Sequence, residues 1–248
     1  MINQYNDFAY VYDRLMEDVD YKGWVVYLKE IFKREGIEPK KILELACGTG
    51  NITLPLSEEK VEVMAVDISQ EMLMVAKDKA LTLGKDILFV EQDMTQLELE
   101  GKFDVSLCMC DGINYILEEE ELVTLFKKLH QHLTEEGIFV FDISSYYKLS
   151  EILGENTYGE NQGDLCYLWE NYFDEETNIL EMNLAFFLQE EQLYRKFEEY
   201  HQQRAYHITE LKSLLLMGGF KSVSVYDGFK FDLPHQESER IFFVCRKD

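Results

Sequence analysis

Between Lys41 and Ser144, the hydrophobic positions follow two alternating spacings. Continuous apolar runs bounded by polar turns predict buried strands at 41–46, 61–67, 87–91, 103–109 and 137–143. Apolar residues at helical spacing predict helices at 51–58, 69–82 and 118–133, and an amphipathic helix precedes them at 20–33. This alternation predicts an α/β fold, in which a doubly wound, mostly parallel sheet has helices on both faces.

After the fifth predicted strand the pattern changes to period two. Apolar residues alternate with polar ones over 165–173 and 180–188, and a weaker alternation places four further residues on one face: Tyr194, Lys196, Glu198 and Tyr200. We therefore predict a three-stranded antiparallel meander with one solvated face, set in an insertion at 148–206. An inserted sheet of this kind is expected to act as a lid over a binding site.

The last forty residues predict a helix and a hairpin that return to the main domain. Thr209 is the predicted N-cap of a helix that stops at Gly218-Gly219, and apolar runs follow at 220–226 and 240–245. We therefore assign 1–147 and 207–248 to one domain, interrupted by the insertion.

A glycine turn separates the first predicted strand from its helix, in the segment Glu44-Leu45-Ala46-Cys47-Gly48-Thr49-Gly50-Asn51. A strand, a tight turn and a helix N-terminus form a nucleotide-binding corner. The dinucleotide pattern Gly-x-Gly-x-x-Gly fails here, because Thr53 stands at the third glycine. The carboxylate of Glu44 would repel a pyrophosphate, whereas it suits the ammonium and sulfonium groups of S-adenosylmethionine.

Two more acids end the second and third predicted strands. Asp67 follows Glu44 by 23 residues, close to the spacing of about 20 at which an acid reaches a ribose diol. Asp93 ends the next strand, and Ser69 is the predicted N-cap of the helix between them. Because the carboxyl ends of parallel strands meet at one edge of a sheet, the three acids are expected to face one ligand.

Composition excludes some classes of function. The chain has 248 residues, is 46% hydrophobic and carries a formal net charge of −24, which disfavours a nucleic-acid partner. The spacing of its five cysteines fits neither a zinc site nor a disulfide frame, so we expect no metal and reduced thiols. With no signal peptide and no long apolar run, we expect a cytoplasmic protein without a membrane partner.

The pattern acidic-x-Gly-x-Gly-x-Gly, carried by Glu44, Ala46, Gly48 and Gly50, resembles the class I S-adenosylmethionine-dependent methyltransferases. Ala46 departs from the pattern, since the family usually has glycine there. The resemblance covers nearly the whole chain and implies a seven-stranded sheet that ends in a hairpin. The segment Phe8–Asp13 looks like the N-terminal signature of small-molecule members. The meander and the following helix resemble sugar N,N-dimethyltransferases, and the chain is also similar to bacterial methyltransferases of unassigned substrate.

This resemblance implies S-adenosylmethionine as cofactor and a role for each site residue. Asp67 would bind the ribose, and Asp93 the adenine amino group, with Met94 over the ring. Tyr12, or else Tyr5, would fold over the methionine end, although an aromatic anchor for the core is an equal alternative for Tyr12. The full predicted cofactor set is Tyr12, Glu44, Ala46, Gly48, Gly50, Asn51, Asp67, Ile68, Met72, Asp93, Met94, Cys110 and Asp111.

Five residues are predicted to bind the acceptor, and each has a structural alternative. Asn114 and Tyr115 follow the fourth strand and would line the methyl-transfer channel, or else cap and pack a helix. In the insertion, Trp169 offers a stacking wall or core packing, and His201 a base or a solvated strand residue. Arg204 would hold a substrate carboxylate or phosphate, or pair with the acids near it.

The predicted reaction is methyl transfer to a nitrogen or oxygen of a small molecule by in-line displacement. A neutral amine needs positioning more than a strong base, so no catalytic residue is assigned. Three alternatives stay open: another nucleotide enzyme such as a dehydrogenase, a non-catalytic cofactor-binding module, and a methyltransferase that acts on protein or RNA. The oligomeric state is not predicted.

Overall fold

The computed structural model of the chain describes residues 5–57 and 61–247. In this part of the chain the helices are α1 (Tyr5–Leu15), α2 (Tyr21–Glu35), α3 (Thr53–Leu56), α4 (Gln70–Thr82), α5 (Glu119–His132) and α6 (Ile208–Met217). The strands are β1 (Lys41–Leu45), β2 (Glu62–Asp67), β3 (Leu88–Glu91), β4 (Phe103–Cys108), β5 (Leu133–Ser144), β6 (Thr157–Asn161), β7 (Leu165–Asp174), β8 (Ile179–Glu190), β9 (Leu193–Arg204), β10 (Ser222–Asp227) and β11 (Arg240–Arg246).

A seven-stranded sheet forms the centre of the molecule, in the order β10-β11-β5-β4-β1-β2-β3. Strands β1 to β5 pair in parallel, whereas β11 runs antiparallel to both β5 and β10. The predicted doubly wound sheet and its closing hairpin are confirmed. Continuous apolar strands bury both faces; for example, Phe141 of β5 stacks on Phe243 of β11 with ring centroids 4.7 Å apart.

Two local predictions near the N-terminal half differ from the structure. The helix predicted at 51–58 is only the short α3, and residue 58 lies outside the described residues. The N-terminal segment, for which no helix was predicted, forms α1. The predicted N-cap of α4 is confirmed, since the hydroxyl of Ser69 accepts a hydrogen bond from the backbone N–H of Met72.

The insertion contains a second sheet of four antiparallel strands, β6-β7-β8-β9, and not three. Strand β6 was missed because all five of its residues are exposed, which leaves no alternation to detect. The four residues predicted to share one face of β9 do so, and that face is the exposed one. Tyr194, Lys196, Glu198 and Tyr200 are exposed, and the alternate residues, such as Phe197 and His201, face inward opposite Phe186 and Met182.

The cap of α6 is a further correction. Thr209 lies inside the helix, and His207 is the N-cap, with its backbone N–H donating to Glu210 Oε2 at 3.3 Å. A His N-cap is not among the preferred residue types, so composition favoured the nearby threonine.

The second sheet packs over the carboxyl edge of the first through two hydrophobic clusters. Val11 on α1 is buried with Leu165, Phe186 and Phe197 of the second sheet. A π-helical turn that follows β5, Lys148–Leu153, buries Leu149 and Leu153 against β7 and β8. The sheet therefore roofs the edge at which the predicted site residues lie. The bounds 148–206 for the insertion stay a prediction.

Candidate functional site

The glycine turn after β1 is held by Asp67 at the end of β2. Asp67 Oδ2 accepts the backbone N–H of Gly48 at 2.7 Å, and its Oδ1 accepts the N–H of Ser69 at 2.9 Å. Burial raises the pKa of Asp67, although these backbone hydrogen bonds oppose the rise. The carboxylate is thereby fixed beside the turn, and each oxygen keeps lone pairs that could accept a ligand hydroxyl.

Glu44 lies beneath the same turn and is almost completely buried. Its Oε2 has no hydrogen-bond partner among the described residues, and the hydroxyl of Thr53 lies near it without reaching hydrogen-bond geometry. Burial raises the pKa of Glu44 to about 8, and the Asp67 carboxylate raises it too. A buried carboxylate without a partner is costly, so the site would gain from a cationic ligand group.

Gly48 and Ala46 both adopt the left-handed backbone conformation at the turn. Gly48 has φ +54°, and a Cβ added there would meet no atom within 4 Å, so the backbone faces open space. Ala46 has φ +49°, a conformation that glycine adopts without strain. The departure from the family glycine thus places a strained alanine at the turn, at a cost of about 1–2 kcal/mol.

Helix α1 closes over the turn through Asp13. Its Oδ1 accepts hydrogen bonds from the Thr49 hydroxyl at 2.5 Å and from the Asn51 amide at 2.9 Å, and its Oδ2 pairs with Lys79 at 2.8 Å. Burial would raise the pKa of Asp13, but hydrogen bonds from Lys79, Thr49 and Asn51 hold it below its usual value. Asn51, predicted to bind the cofactor, also accepts a hydrogen bond from Lys79 through its Oδ1. Its amide therefore already helps to hold α1 in place.

Tyr12 stands next to Asp13 and faces the site. It lines a small cavity of about 40 Å³ over the glycine turn, together with Tyr21, Glu44, Gly48 and Cys110. Burial, and then the hydrogen-bonded Tyr21, raise the pKa of Tyr12 well above its usual value, so its hydroxyl stays protonated. The side chain of Tyr5, the other predicted tyrosine, lies outside the described residues.

The predicted adenine side of the site is more open. Ile68, directly after Asp67, is 69% exposed. Asp93 Oδ1 accepts both the N–H and the hydroxyl of Thr95 at 2.8 Å. Met72 and Met94 are partly buried. The roles of these four residues in cofactor binding remain predictions.

The chain turns sharply after β4, where Cys110 and Asp111 both have positive φ, at +57° and +55°. Two adjacent residues in this sparsely populated region store strain, which is typical of ligand-binding positions. Asp111 Oδ1 pairs with Arg240 at 3.0 Å, and its Oδ2 accepts the Gln203 amide at 2.8 Å. Arg240 also pairs with the buried Asp142. Three strands of the first sheet and β9 thus meet at this point.

The pKa values of the two aspartates at this point diverge. Burial would raise the pKa of Asp111, but the charges of Arg240 and Lys148 and the hydrogen bond from Gln203 hold it below its usual value. Burial raises the pKa of Asp142 to about 6 despite the guanidinium of Arg240. Asp142 is therefore the carboxylate that takes up a proton first as the pH falls.

A cavity of about 460 Å³ lies between α1, the carboxyl edge of the first sheet and the second sheet. We call it the aromatic cavity, since its walls include Phe8, Tyr12, Tyr21, Trp24, Tyr115, Tyr167, Trp169, Phe186 and His201. Its polar lining consists of Asp111, Ser144, Lys148, Gln203 and Arg240. Tyr12, Tyr21 and Cys110 line both this cavity and the small one over the glycine turn.

The structure divides the five predicted acceptor residues. Tyr115, Trp169 and His201 line the aromatic cavity, where burial lowers the pKa of His201 and keeps the imidazole neutral. Asn114 and Arg204 do not line it. The buried side-chain amide of Asn114 makes three hydrogen bonds to the backbone. It donates to the carbonyls of Ser144 and Arg204, and it accepts the N–H of Ser144. An acceptor-binding role for these two residues stays a prediction, and neither faces the aromatic cavity.

Arg204 is occupied by protein groups. Its Nη2 pairs with Glu119 at 2.8 Å and Glu210 at 2.7 Å, and its Nη1 donates to the carbonyl of Leu117 at 2.8 Å. It therefore joins β9 to α5 and α6.

Several lining residues were missed from sequence. Tyr21, Lys148, Gln203 and Arg240 come from four separate segments, and only folding brings them together. Gln203 could have been found from the inward face of β9, because it shares that face with His201. Arg240, at the first position of the last strand, gave no local signal.

Comparison with known proteins identifies the family. A protein of Geobacillus sp. (strain WCH70), named as a methyltransferase without a stated substrate, is 34% identical over 245 residues, which cover 98% of this chain and 99% of its own length. The crystal structure of an S-adenosylmethionine-dependent methyltransferase from Clostridium acetobutylicum matches with 36% identity and a TM-score of 0.89, over 98% of this chain and 99% of that one. This chain belongs to the class I S-adenosylmethionine-dependent methyltransferases.

The methyltransferase domain family itself matches residues 42–137 of this methyltransferase. KedS8, a sugar N-methyltransferase from Streptoalloteichus sp., has a TM-score of 0.80 at 16% identity, over 96% of this chain and 92% of its own. At that identity the likeness is one of fold alone.

S-adenosylmethionine is the cofactor of this methyltransferase, and the residues around the glycine turn fit it. The unpartnered Glu44 Oε2 suits a cationic group, and the open space at Gly48 leaves room for a ligand against the backbone. The cofactor supplies an electrophilic methyl group on a sulfonium. In the part of the chain that is described, no helix is long and apolar enough to cross a membrane.

Proposed function

We propose that this methyltransferase transfers a methyl group to a nitrogen or oxygen atom of a small molecule held in the aromatic cavity. The observation that carries the proposal is the shared wall of the two cavities. Tyr12, Tyr21 and Cys110 face both the glycine turn and the aromatic cavity, so a cofactor on one side and an acceptor on the other would meet at these residues.

The second sheet supports a small acceptor in preference to a macromolecule. It roofs the cavity and packs on α1, which leaves a space of about 460 Å³. This lies within the range of about 300–1,000 Å³ found for small-molecule sites. The net charge of −24 opposes RNA as the acceptor. We propose that the second sheet is the lid predicted from sequence, and a cytoplasmic location stays a prediction.

The residues of this site act by holding the reactants and excluding water. Glu44, Asp67 and Asp93 would orient the cofactor, and Tyr12 would cover it. His201, kept neutral by burial, is the lid residue able to accept a proton from an oxygen acceptor. A neutral amine acceptor would need positioning alone, which can supply up to about 7–11 kcal/mol of the barrier reduction.

Cofactor binding is tested first, by calorimetric titration with S-adenosylhomocysteine and with NAD as the comparison ligand. Asp67→Asn should weaken S-adenosylhomocysteine binding by roughly tenfold or more, because a charge-assisted contact to the ribose is lost. Asp104→Asn is a matched control. Asp104 also accepts two backbone N–H groups, at 2.8 and 3.0 Å, but from Lys40 and Lys41 at the opposite edge of the sheet.

The acceptor class is tested with S-adenosylmethionine that carries an isotopically labelled methyl group. Small-molecule, protein and RNA fractions of a cell extract are incubated separately with the enzyme. Label in the small-molecule fraction supports the proposal. Label confined to protein or RNA contradicts it, and so does NAD binding in place of S-adenosylhomocysteine.

A further inference from the structure

The polar end of the aromatic cavity is lined by more cationic than anionic side chains. Its charged lining consists of Asp111, Lys148 and Arg240, which is two cations and one carboxylate in a chain of net charge −24. Both oxygens of Asp111 are occupied, one by Arg240 at 3.0 Å and the other by Gln203 at 2.8 Å. The second carboxylate that Arg240 binds, Asp142, is fully buried behind the wall.

Lys148 faces this cavity without a partner. Among the described residues its ammonium group makes no hydrogen bond and no ion pair; only its backbone N–H is bonded, to Ser145 Oγ at 3.0 Å. Burial lowers the pKa of Lys148, the charge of Arg240 lowers it further, and Asp111, Glu239 and Asp142 oppose this effect. Lys148 opens the π-helical turn 148–153, a rare conformation that occurs frequently at functional sites.

Trp169 supplies a second donor without a partner. Its indole Nε1 is buried and has no hydrogen-bond acceptor among the described residues, and the side chain lines the same cavity. A buried donor that stays unsatisfied costs about 1–3 kcal/mol, and a buried charged one costs more. A ligand oxygen would recover this cost for both groups.

We propose that the acceptor of this methyltransferase carries a carboxylate or a phosphate, and that Lys148 and the indole N–H of Trp169 bind that anionic oxygen group. The proposal rests on the proposed function, since it assumes that the aromatic cavity is the acceptor site. The aromatic walls would hold the apolar part of the acceptor, and Lys148 would fix which end faces the cofactor. An ammonium donates to such an oxygen as a point charge.

Four probes test the proposal in two matched pairs, benzoate with benzamide and phenyl phosphate with phenol. Each is titrated calorimetrically into the full chain, with and without S-adenosylhomocysteine. We expect at least one anion to bind about tenfold or more tightly than its neutral partner, because a hydrogen bond to a charged group contributes about 1.5–3 kcal/mol. The pair that shows the preference distinguishes a carboxylate from a phosphate.

The variants assign the preference to residues. Lys148→Met should abolish it, Lys148→Arg should keep it because the charge remains, and Trp169→Phe should reduce it by about threefold. Lys212→Met removes an equivalent charge from an exposed position on α6 and should change nothing. Thermal unfolding of each variant checks that it is folded.

The proposal is overturned if neither anion binds more tightly than its neutral partner, or if Lys148→Met keeps the preference. Binding of S-adenosylhomocysteine with no anion preference would refute this inference and leave the proposed function intact. An anion preference that Lys148→Met abolishes, without binding of S-adenosylhomocysteine, would refute the proposed function and with it the assignment of the anion to the acceptor, and would leave only an anion site at Lys148.

Discussion

Asp13 of α1 forms an ion pair with Lys79 of α4, with 2.8 Å between Asp13 Oδ2 and Lys79 Nζ. The same carboxylate accepts the side chains of Thr49 and Asn51 at the glycine turn. Since Tyr12 precedes Asp13 and faces both cavities, this pair sets the position of the residue that would cover the cofactor. The N-terminal helix is therefore part of the site.

Lys79→Met is expected to weaken S-adenosylhomocysteine binding without unfolding the protein. Lys79 joins Asp13 to Asn51, and a partly buried charged hydrogen bond of this kind contributes about 1–2 kcal/mol. The dissociation constant should rise by about fivefold to thirtyfold in calorimetry. Lys77→Met, on an exposed face of the same helix, is the control and should bind like the wild type. An unchanged affinity in Lys79→Met would contradict a role for this ion pair in positioning Tyr12 over the cofactor.

Gly48→Ala is expected to abolish cofactor binding in addition to lowering the stability of the protein. A suitable control exists in Gly36, the C-cap of α2, which has φ +73° and likewise no atom within 4 Å of an added Cβ. Both variants should lose about 1–2 kcal/mol of unfolding free energy to left-handed strain. Only Gly48→Ala should lose S-adenosylhomocysteine binding, because its methyl group would occupy the ligand's space. Equal affinities in the two variants would place the cofactor elsewhere.

Glu44 predicts a pH dependence of stability in the ligand-free protein. Its pKa in the folded state is raised to about 8 by burial, whereas in the unfolded chain it is about 4.3. The folded state therefore binds more protons between these values, and the unfolding free energy falls as pH rises from about 4.3 to 8. The slope from one proton is at most about 1.4 kcal/mol per pH unit.

Glu44→Gln should remove this contribution. The unfolding free energies of wild type and variant are measured by urea titration between pH 5 and 9. As pH rises, the wild type should lose stability relative to the variant, and the difference should become constant above pH 8. A difference that does not vary with pH would mean that Glu44 is ionised in the folded protein. Proton release on binding of S-adenosylhomocysteine near pH 7 would show that the ligand's ammonium group lowers the pKa of Glu44 and returns its carboxyl group to the ionised form.

Arg204→Gln should lower stability and leave ligand binding unchanged. Its guanidinium has a side-chain exposure of 18% and pairs with Glu119 and Glu210. The variant loses two charge-assisted contacts, which should cost about 2–3 kcal/mol. Arg195→Gln on the same strand is the comparison. Arg195 pairs with Glu190 at a side-chain exposure of 35%, which predicts less than about 1 kcal/mol. Weaker acceptor binding in Arg204→Gln with unchanged stability would contradict this assignment.

Much of the site could be predicted because it depends on short segments with strong local signals. Glu44, Gly48 and Asp67 stand at strand ends that hydrophobic runs define, and parallel pairing of β1 with β2 brings strand ends together. The antiparallel hairpin β10–β11 was also visible in the apolar runs. Strand β6 was not, since its exposed residues are placed by backbone pairing with β7 and not by burial.

The sequence alone determined the sheet, the glycine turn and the family, because periodicity and turn chemistry are properties of neighbouring residues. Only the tertiary structure decided which polar side chains face the ligand. Arg204 and Lys148 are equally cationic in the sequence, yet Arg204 pairs with Glu119 and Glu210 while Lys148 lines the aromatic cavity. The partners of a charged side chain come from distant segments, and its role is set when folding brings those segments together.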